Sequence, residues 1–146
     1  MKISTQIRYG VRSLCDIAYN SVGSPAQIKS ISERQNISPR YIEQIFQKLK
    51  KGGIIKSVRG PLGGYFLTRR PEDITIGDVI RAVEGKDIQL VACSGQKRGG
   101  RKACEKFGKC AASDVWCEAS KRLMDYFDSV SMNKICEAAR EKGCGF

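Results

Sequence analysis

Histidine is missing from all 146 residues. Without an imidazole the chain has no Ser–His or Cys–His nucleophile and no His-ligated metal of its own. Long apolar runs are missing too. None approaches the roughly 20 residues that cross a bilayer, so no membrane partner is expected. The N-terminus, "MKISTQIR", lacks the apolar stretch of a secretory signal, and a cytoplasmic location is expected. Repeats, paired carboxylates and a phosphate loop with Gly-Lys-Ser/Thr are all absent, so the chain is not expected to be an enzyme. Acids are scarce where bases are dense. Residues 38–70 carry eight Lys or Arg against Glu43 alone, and residues 86–110 carry seven against two. From 111 onward five bases face six acids. A net charge of +11 distributed in this way fits nucleic acid bound by one part of the chain and another task for the rest. A solvated basic surface is the plainer reading of charge alone.

What the chain has in excess is cysteine. Six of its seven cysteines lie after residue 92. In a reducing compartment, clustered thiols point to metal or redox chemistry more often than to disulfides. Cys15 falls within an apolar helical stripe and is expected in the core, and Cys136 is expected to serve packing.

Apolar residues at Ile7, Val11, Leu14, Cys15 and Ala18 predict a helix capped by Ser4. "NSVGSP" (20–25) ends it, and Pro25 is placed to start the next, which carries Ile28 and Ile31. "NIS" (36–38) is a turn. Ser38 then caps a third helix with Pro39 in its first turn, Ile42, Ile45, Phe46 and Leu49 inward, and Gly52-Gly53 as its stop. "IIKSV" and "YFLTR" read as strands around the loop "RGPLGG". Helix, helix, turn, helix, strand, loop, strand is the order of a winged helix-turn-helix. The glycine-rich loop is then the wing, where Gly60, Gly63 and Gly64 let backbone approach phosphates and Arg59 enters a narrow minor groove. Opposite the core stripe of the third helix stand Arg40, Tyr41, Gln44, Gln47, Lys48 and Lys51. The N-terminal ones, with Ser38, are expected to face a DNA operator. Arg suits guanine and Gln adenine, while Ser and Tyr bond phosphates. Glu43 either accepts from cytosine N4 or balances Lys48 or Arg40.

Thr75 and Asp78 form a capping box for a further helix ending near Gly85. Residues 86–110 lose periodicity. Beyond them Val115, Trp116, Ala119, Leu123, Tyr126, Phe127 and Val130 mark a long amphipathic helix, and Ser131 caps a last short one. The long helix's stripe suits a homodimer interface, with packing back onto residues 4–18 as the alternative. The expected fold is mainly α with a small β-hairpin. Residues 1–85 are the winged helix-turn-helix DNA-binding domain, 86–110 a cysteine-bearing loop, and 111–146 the dimerisation helix and tail.

"ISERQNISPRYIEQIFQKLKKGGIIKSVRGPLGGYFL", then "ITIGDVIRAVEG" and a cysteine loop ending "CAASDVW", closely resembles the Rrf-two family of bacterial winged-helix transcription regulators. The resemblance runs from residue 1 to about 136. It implies a homodimeric repressor or activator in which three cysteines of the loop hold a [2Fe–2S] or [4Fe–4S] cluster that controls DNA affinity. Ser38, Tyr41, Glu43 and Gln44 match recognition-helix positions, and Arg59 matches the wing arginine. Cys104 and Cys110, with Trp116 beyond, match the second and third ligands. Cys93 takes the first ligand's place, at a longer spacing than the family's, which a flexible loop absorbs at little entropic cost. The histidine that some members use as fourth ligand falls on Ser113, and the N-terminal acid that others use falls on Arg8. The fourth ligand is expected to be something other than cysteine. Cys117 reaches only if its helix begins after Cys110, since two helical turns would separate them by roughly 10.5 Å. The alternative function is a cluster-less or zinc-stabilised regulator controlled by a protein partner or by thiol oxidation.

Overall fold

The computed structural model describes residues 3–91, 104, 106 and 108–143. Six helices and one hairpin follow in order: α1 (Thr5–Asn20), α2 (Ile28–Gln35), α3 (Pro39–Lys51), β1 (Ile55–Val58), β2 (Gly64–Leu67), a 3-10 turn (Pro71–Asp73), α4 (Ile76–Glu84), α5 (Ser113–Ser129) and α6 (Met132–Glu141). This is a winged helix-turn-helix with two further helices.

Local chemistry sets most of the boundaries. The hydroxyls of Ser4, Ser38, Thr75 and Ser131 each accept from a backbone N–H of the first turn, and Thr75 and Asp78 complete a reciprocal capping box. Asn36 adopts the left-handed conformation (φ 52°), closing α2 and turning the chain into α3. Ile42, Ile45, Phe46 and Leu49 are fully buried, as the period of α3 requires, and they join Leu14, Ile31, Ile54, Val79 and Ile80 in one core.

The second helix starts later than the sequence predicts. Pro25 does not open it. Residues 25–27 stay extended, and Ala26 exchanges two backbone hydrogen bonds of 2.9 Å with Tyr65. This bridge adds a short third rung to the hairpin, so the wing is tied to the segment entering α2. A second non-local bridge joins Thr75 to Ser131, with Ile76 N donating to Val130 O and Met132 N to Ile74 O. It fixes the α5–α6 junction to the start of α4. α6 then packs on α1, and Met132, Cys136 and Ala139 are buried.

Candidate nucleic-acid interface and cysteine loop

The first turn of α3 is the most exposed part of the helix-turn-helix. Arg40, Glu43 and Gln44 face solvent, and Ser38 is exposed while its Oγ accepts from Tyr41 N at 3.4 Å. Tyr41 is half-buried, its ring edge-on to Tyr9 at 5.8 Å, so only part of it is available to a partner. Glu43 enters no ion pair among the described residues, neither with Lys48 nor with Arg40. Lys48 instead donates to Gln6 Oε1 at 2.5 Å. It is therefore not the freely solvated residue that its sequence position suggests.

A network that the sequence does not announce holds α1 against α2. The carboxylate of Asp16 is fully buried, and it accepts from Arg34 Nη2 at 2.6 Å, Arg34 Nε at 3.0 Å and Gln35 Nε2 at 2.9 Å. Arg12 in turn donates to Gln35 Oε1 at 3.2 Å and Gln35 O at 2.6 Å. A buried carboxylate without such partners would carry a large desolvation cost. The only signal in the sequence is an acid inside the apolar run "LCDIA".

The wing is rigid at its base. β1 and β2 pair antiparallel, with Ile55 opposite Leu67 and Val58 opposite Gly64. Tyr65 packs edge-on to Phe46 of α3 at 4.8 Å, and Lys50 Nζ donates to Ser57 Oγ at 2.6 Å. Arg59 is exposed and takes part in no ion pair among the described residues. Gly60 sits at φ 124°, a region that side chains disfavour. Gly63 and Gly64 have reasons within the fold: a Cβ on the first would strike Val58 O, and one on the second Ala26 O. Arg69 and Arg70 are paired internally with Asp78 and Asp73. The exposed cations of this stretch with no ion pair among the described residues thus include Arg40, Lys51, Lys56 and Arg59.

Beyond α4, Arg81 is a three-way clamp. Its guanidinium donates to both oxygens of Asp128 on α5, at 2.8 and 2.6 Å, and to Asp87 at 2.7 Å. The pairing holds the Asp128 carboxyl below its ordinary value, partial burial working the other way. Gly77 leaves room for that carboxylate, which a Cβ would strike. Leu90 N donates to Ser120 Oγ at 3.0 Å. The segment leading into the cysteine loop is thereby fastened to α5.

Cys93 lies outside the described residues. Cys104 is exposed, Cys110 half-buried and Cys117 exposed, and all three are free thiols. Among the described residues no group of three ligand-type side chains is gathered. Helix α5 begins at Ser113, so Cys110 precedes it, and the helical rise that counts against Cys117 as a partner of Cys110 does not apply. Cys117 instead lines a cleft of about 280 Å³ with Asp87, Ile88, Val91 and Trp116. The Ser113 hydroxyl donates to Cys110 O at 2.7 Å.

The stripe on α5 is divided. Met124 is buried, while Phe127 and Val130 face a groove of about 390 Å³ with Ile7, Val11, Ile80 and Ile135. Val115, Trp116 and Tyr126 remain exposed, Tyr126 at 62%. Within the chain α5 packs chiefly on α4.

Residues 3–138 match the Rrf2 family model, described as "Iron-dependent Transcriptional regulator". The HTH-type transcriptional regulator IscR of Aliivibrio salmonicida is 36% identical over 135 residues, covering 92% of this chain and 77% of that protein. IscR of Escherichia coli is also 36% identical over 135 residues, covering 92% and 80%. Among solved structures, T. potens IscR superposes with a TM-score of 0.74 at 34% identity, over 97% of this chain and 90% of that one. CymR, the global cysteine regulator of B. subtilis, superposes with a TM-score of 0.72 at 30% identity, over 94% and 98%. The capped α3, the wing and the two helices beyond them are those of a transcriptional regulator, and the chain belongs to the Rrf2 family.

Proposed function

We propose that this protein binds operator DNA as a homodimer and that an iron–sulfur cluster on its cysteine loop sets its affinity. The observation that carries the DNA half is the junction of α3 with the wing. Arg40, Glu43 and Gln44 stand exposed on a capped helix whose Phe46 and Lys50 hold the strands that present the unpaired Arg59. Arg40 and Gln44 are the base-reading candidates, with Ser38 and Tyr41 at phosphates, and Glu43, free of any ion pair, as an acceptor toward cytosine. Gly60 lets the wing backbone come close, and Gly63 and Gly64 shape the hairpin that carries it.

For the cluster half, the donor chemistry fits. Cys93, Cys104 and Cys110 supply three soft thiolates, and two of these are free and accessible in the described residues. Bound there, a cluster supplies redox and nitric-oxide chemistry. The protein's part is mechanical: Arg81 and Ser120 fasten the start of the loop to α4 and α5, so ordering of the loop bears on the helix proposed to dimerise. Val115, Trp116 and Tyr126 give α5 an apolar surface that a second copy can cover.

Alanine substitution of each loop cysteine in anaerobically purified protein, read by iron, acid-labile sulfide and visible absorbance, tests the assignment. Loss of colour in Cys93→Ala, Cys104→Ala and Cys110→Ala supports it. Retention of the cluster in Cys93→Ala with its loss in Cys117→Ala replaces the first ligand. A colourless protein holding zinc or no metal favours control by a protein partner or by thiol oxidation.

A further inference from the structure

Two thiols far from the loop face each other inside the core. Cys15 on α1 has no exposed surface, and Cys136 on α6 retains only 8%. Both belong to the same hydrophobic cluster, both are free, and their sulfurs are joined by a hydrogen bond across the α1–α6 contact. Packing alone accounts for two small apolar side chains. It does not account for what surrounds the second one. Cys136 lines a cleft of about 100 Å³ with Tyr19, Asn133, Glu137 and Arg140. The Arg140 guanidinium, one helical turn beyond Cys136, lies 4.9 Å from the centre of the Tyr19 ring and brings a cation to that cleft.

We propose that Cys15 and Cys136 form a dithiol modification site that a small hydroperoxide converts into a disulfide bridging α1 and α6. The two sulfurs are differentiated for it. The hydrogen bond from Cys15 pulls the Cys136 thiol down from its ordinary value, and Arg140 adds to this, while burial and Glu137 oppose it. Cys15 is pushed up by the same hydrogen bond and by burial, with Asp16 adding to both. Cys136 therefore ionises first, on the side that faces the cleft, and Cys15 keeps its proton. The Cys136 thiolate attacks one peroxide oxygen and the O–O bond breaks. Hydroxide leaves and takes up a proton to become water, and the sulfur, oxidised by two electrons, becomes a sulfenic acid. Cys15 then attacks that sulfur, the S–O bond breaks, and the departing hydroxide takes the Cys15 proton. One hydroperoxide and two thiols give one disulfide and two water molecules when the oxidant is hydrogen peroxide. A small-molecule thiol reverses the step by exchange. The cleft is of a size for hydrogen peroxide rather than for a bulky aromatic disulfide.

Nothing in this site depends on the cluster or on DNA. The test treats the full-length protein with hydrogen peroxide, quenches with catalase, alkylates under denaturing conditions and digests with trypsin. Cleavage after Arg12, Lys29, Lys134 and Arg140 places Cys15 in peptide 13–29 and Cys136 in peptide 135–140. The expected product is the linked pair, two hydrogens lighter than its parts, absent without peroxide and released by dithiothreitol. In Cys15→Ser the linked pair disappears and peptide 135–140 accumulates sulfinic acid. In wild type, recovery of both peptides as alkylated thiols, under conditions that oxidise the loop cysteines, overturns the proposal. Linkage of Cys136 to a loop peptide instead overturns it as well.

Discussion

At the scale of single residues, the DNA interface divides into charge and readout. Arg59 is an exposed, unpaired cation on a loop, so Arg59→Ala is expected to leave thermal unfolding unchanged and weaken operator binding. The slope of log affinity against log salt is expected to flatten by about one unit. An unchanged slope removes Arg59 from the phosphate contacts. Gln44→Ala is expected to cost about 1–3 kcal/mol on a site selected from random duplex DNA and to relax preference at one base pair. Glu43→Ala is expected to broaden the selected sequences, and identical selections from wild type and variant assign Glu43 to the solvated surface. Asp16 is a different kind of residue. Fully buried beneath three charge-assisted donors, it is expected on replacement by Ala to destabilise the fold by about 3 kcal/mol in urea titration. Its role was not legible in the sequence, because Arg34 and Gln35 reach it only after α2 has packed on α1.

At the scale of elements, what could be read in advance was what is local. Ser4, Ser38, Thr75 and Ser131 announce helix starts through bonds that close within one turn. Pro25 misleads for the same reason: its neighbour Ala26 is held by Tyr65, some forty positions away, and no local rule carries that pairing. Candidate interface residues on α3 were legible from the period of its core stripe, whereas the fold's claim on Gly63 and Gly64 was not, since it depends on Val58, Gly60 and Ala26 arriving beside them. Helix α5 offers the sharpest test at this scale. Tyr126 is exposed within the chain, so Tyr126→Glu is expected to keep its fold by circular dichroism and to sediment as a monomer. A variant that remains dimeric moves the proposed interface away from this surface. Where α5 meets α4, the Arg81–Asp128 pair carries a pH dependence. The Asp128 pKa is depressed in the fold, so its contribution is present above the ordinary carboxylate range and is lost as pH falls through the lowered folded value. Both partners are about two-fifths exposed, which limits the effect to about 1 kcal/mol or less. Asp128→Asn is expected to shrink the acid-side loss of stability by that small amount, read from urea midpoints across pH.

For the whole molecule, three parts are mechanically continuous. The wing is tied to α2 through Ala26, α4 to the α5–α6 junction through Thr75 and Ser131, and the stem of the cysteine loop to α4 and α5 through Arg81 and Ser120. A change in the loop therefore has a covalent and hydrogen-bonded route to the surface proposed to dimerise, and a dimer places two reading heads on one palindromic site. The measurement that bears most directly on this account is operator affinity, at one salt concentration, of anaerobically purified protein before and after chelation of its iron. The account predicts a brown protein whose affinity for its selected site changes by about tenfold or more, about 1.4 kcal/mol, when the cluster is removed. A protein that holds iron and sulfide yet binds that site equally with and without them would contradict it.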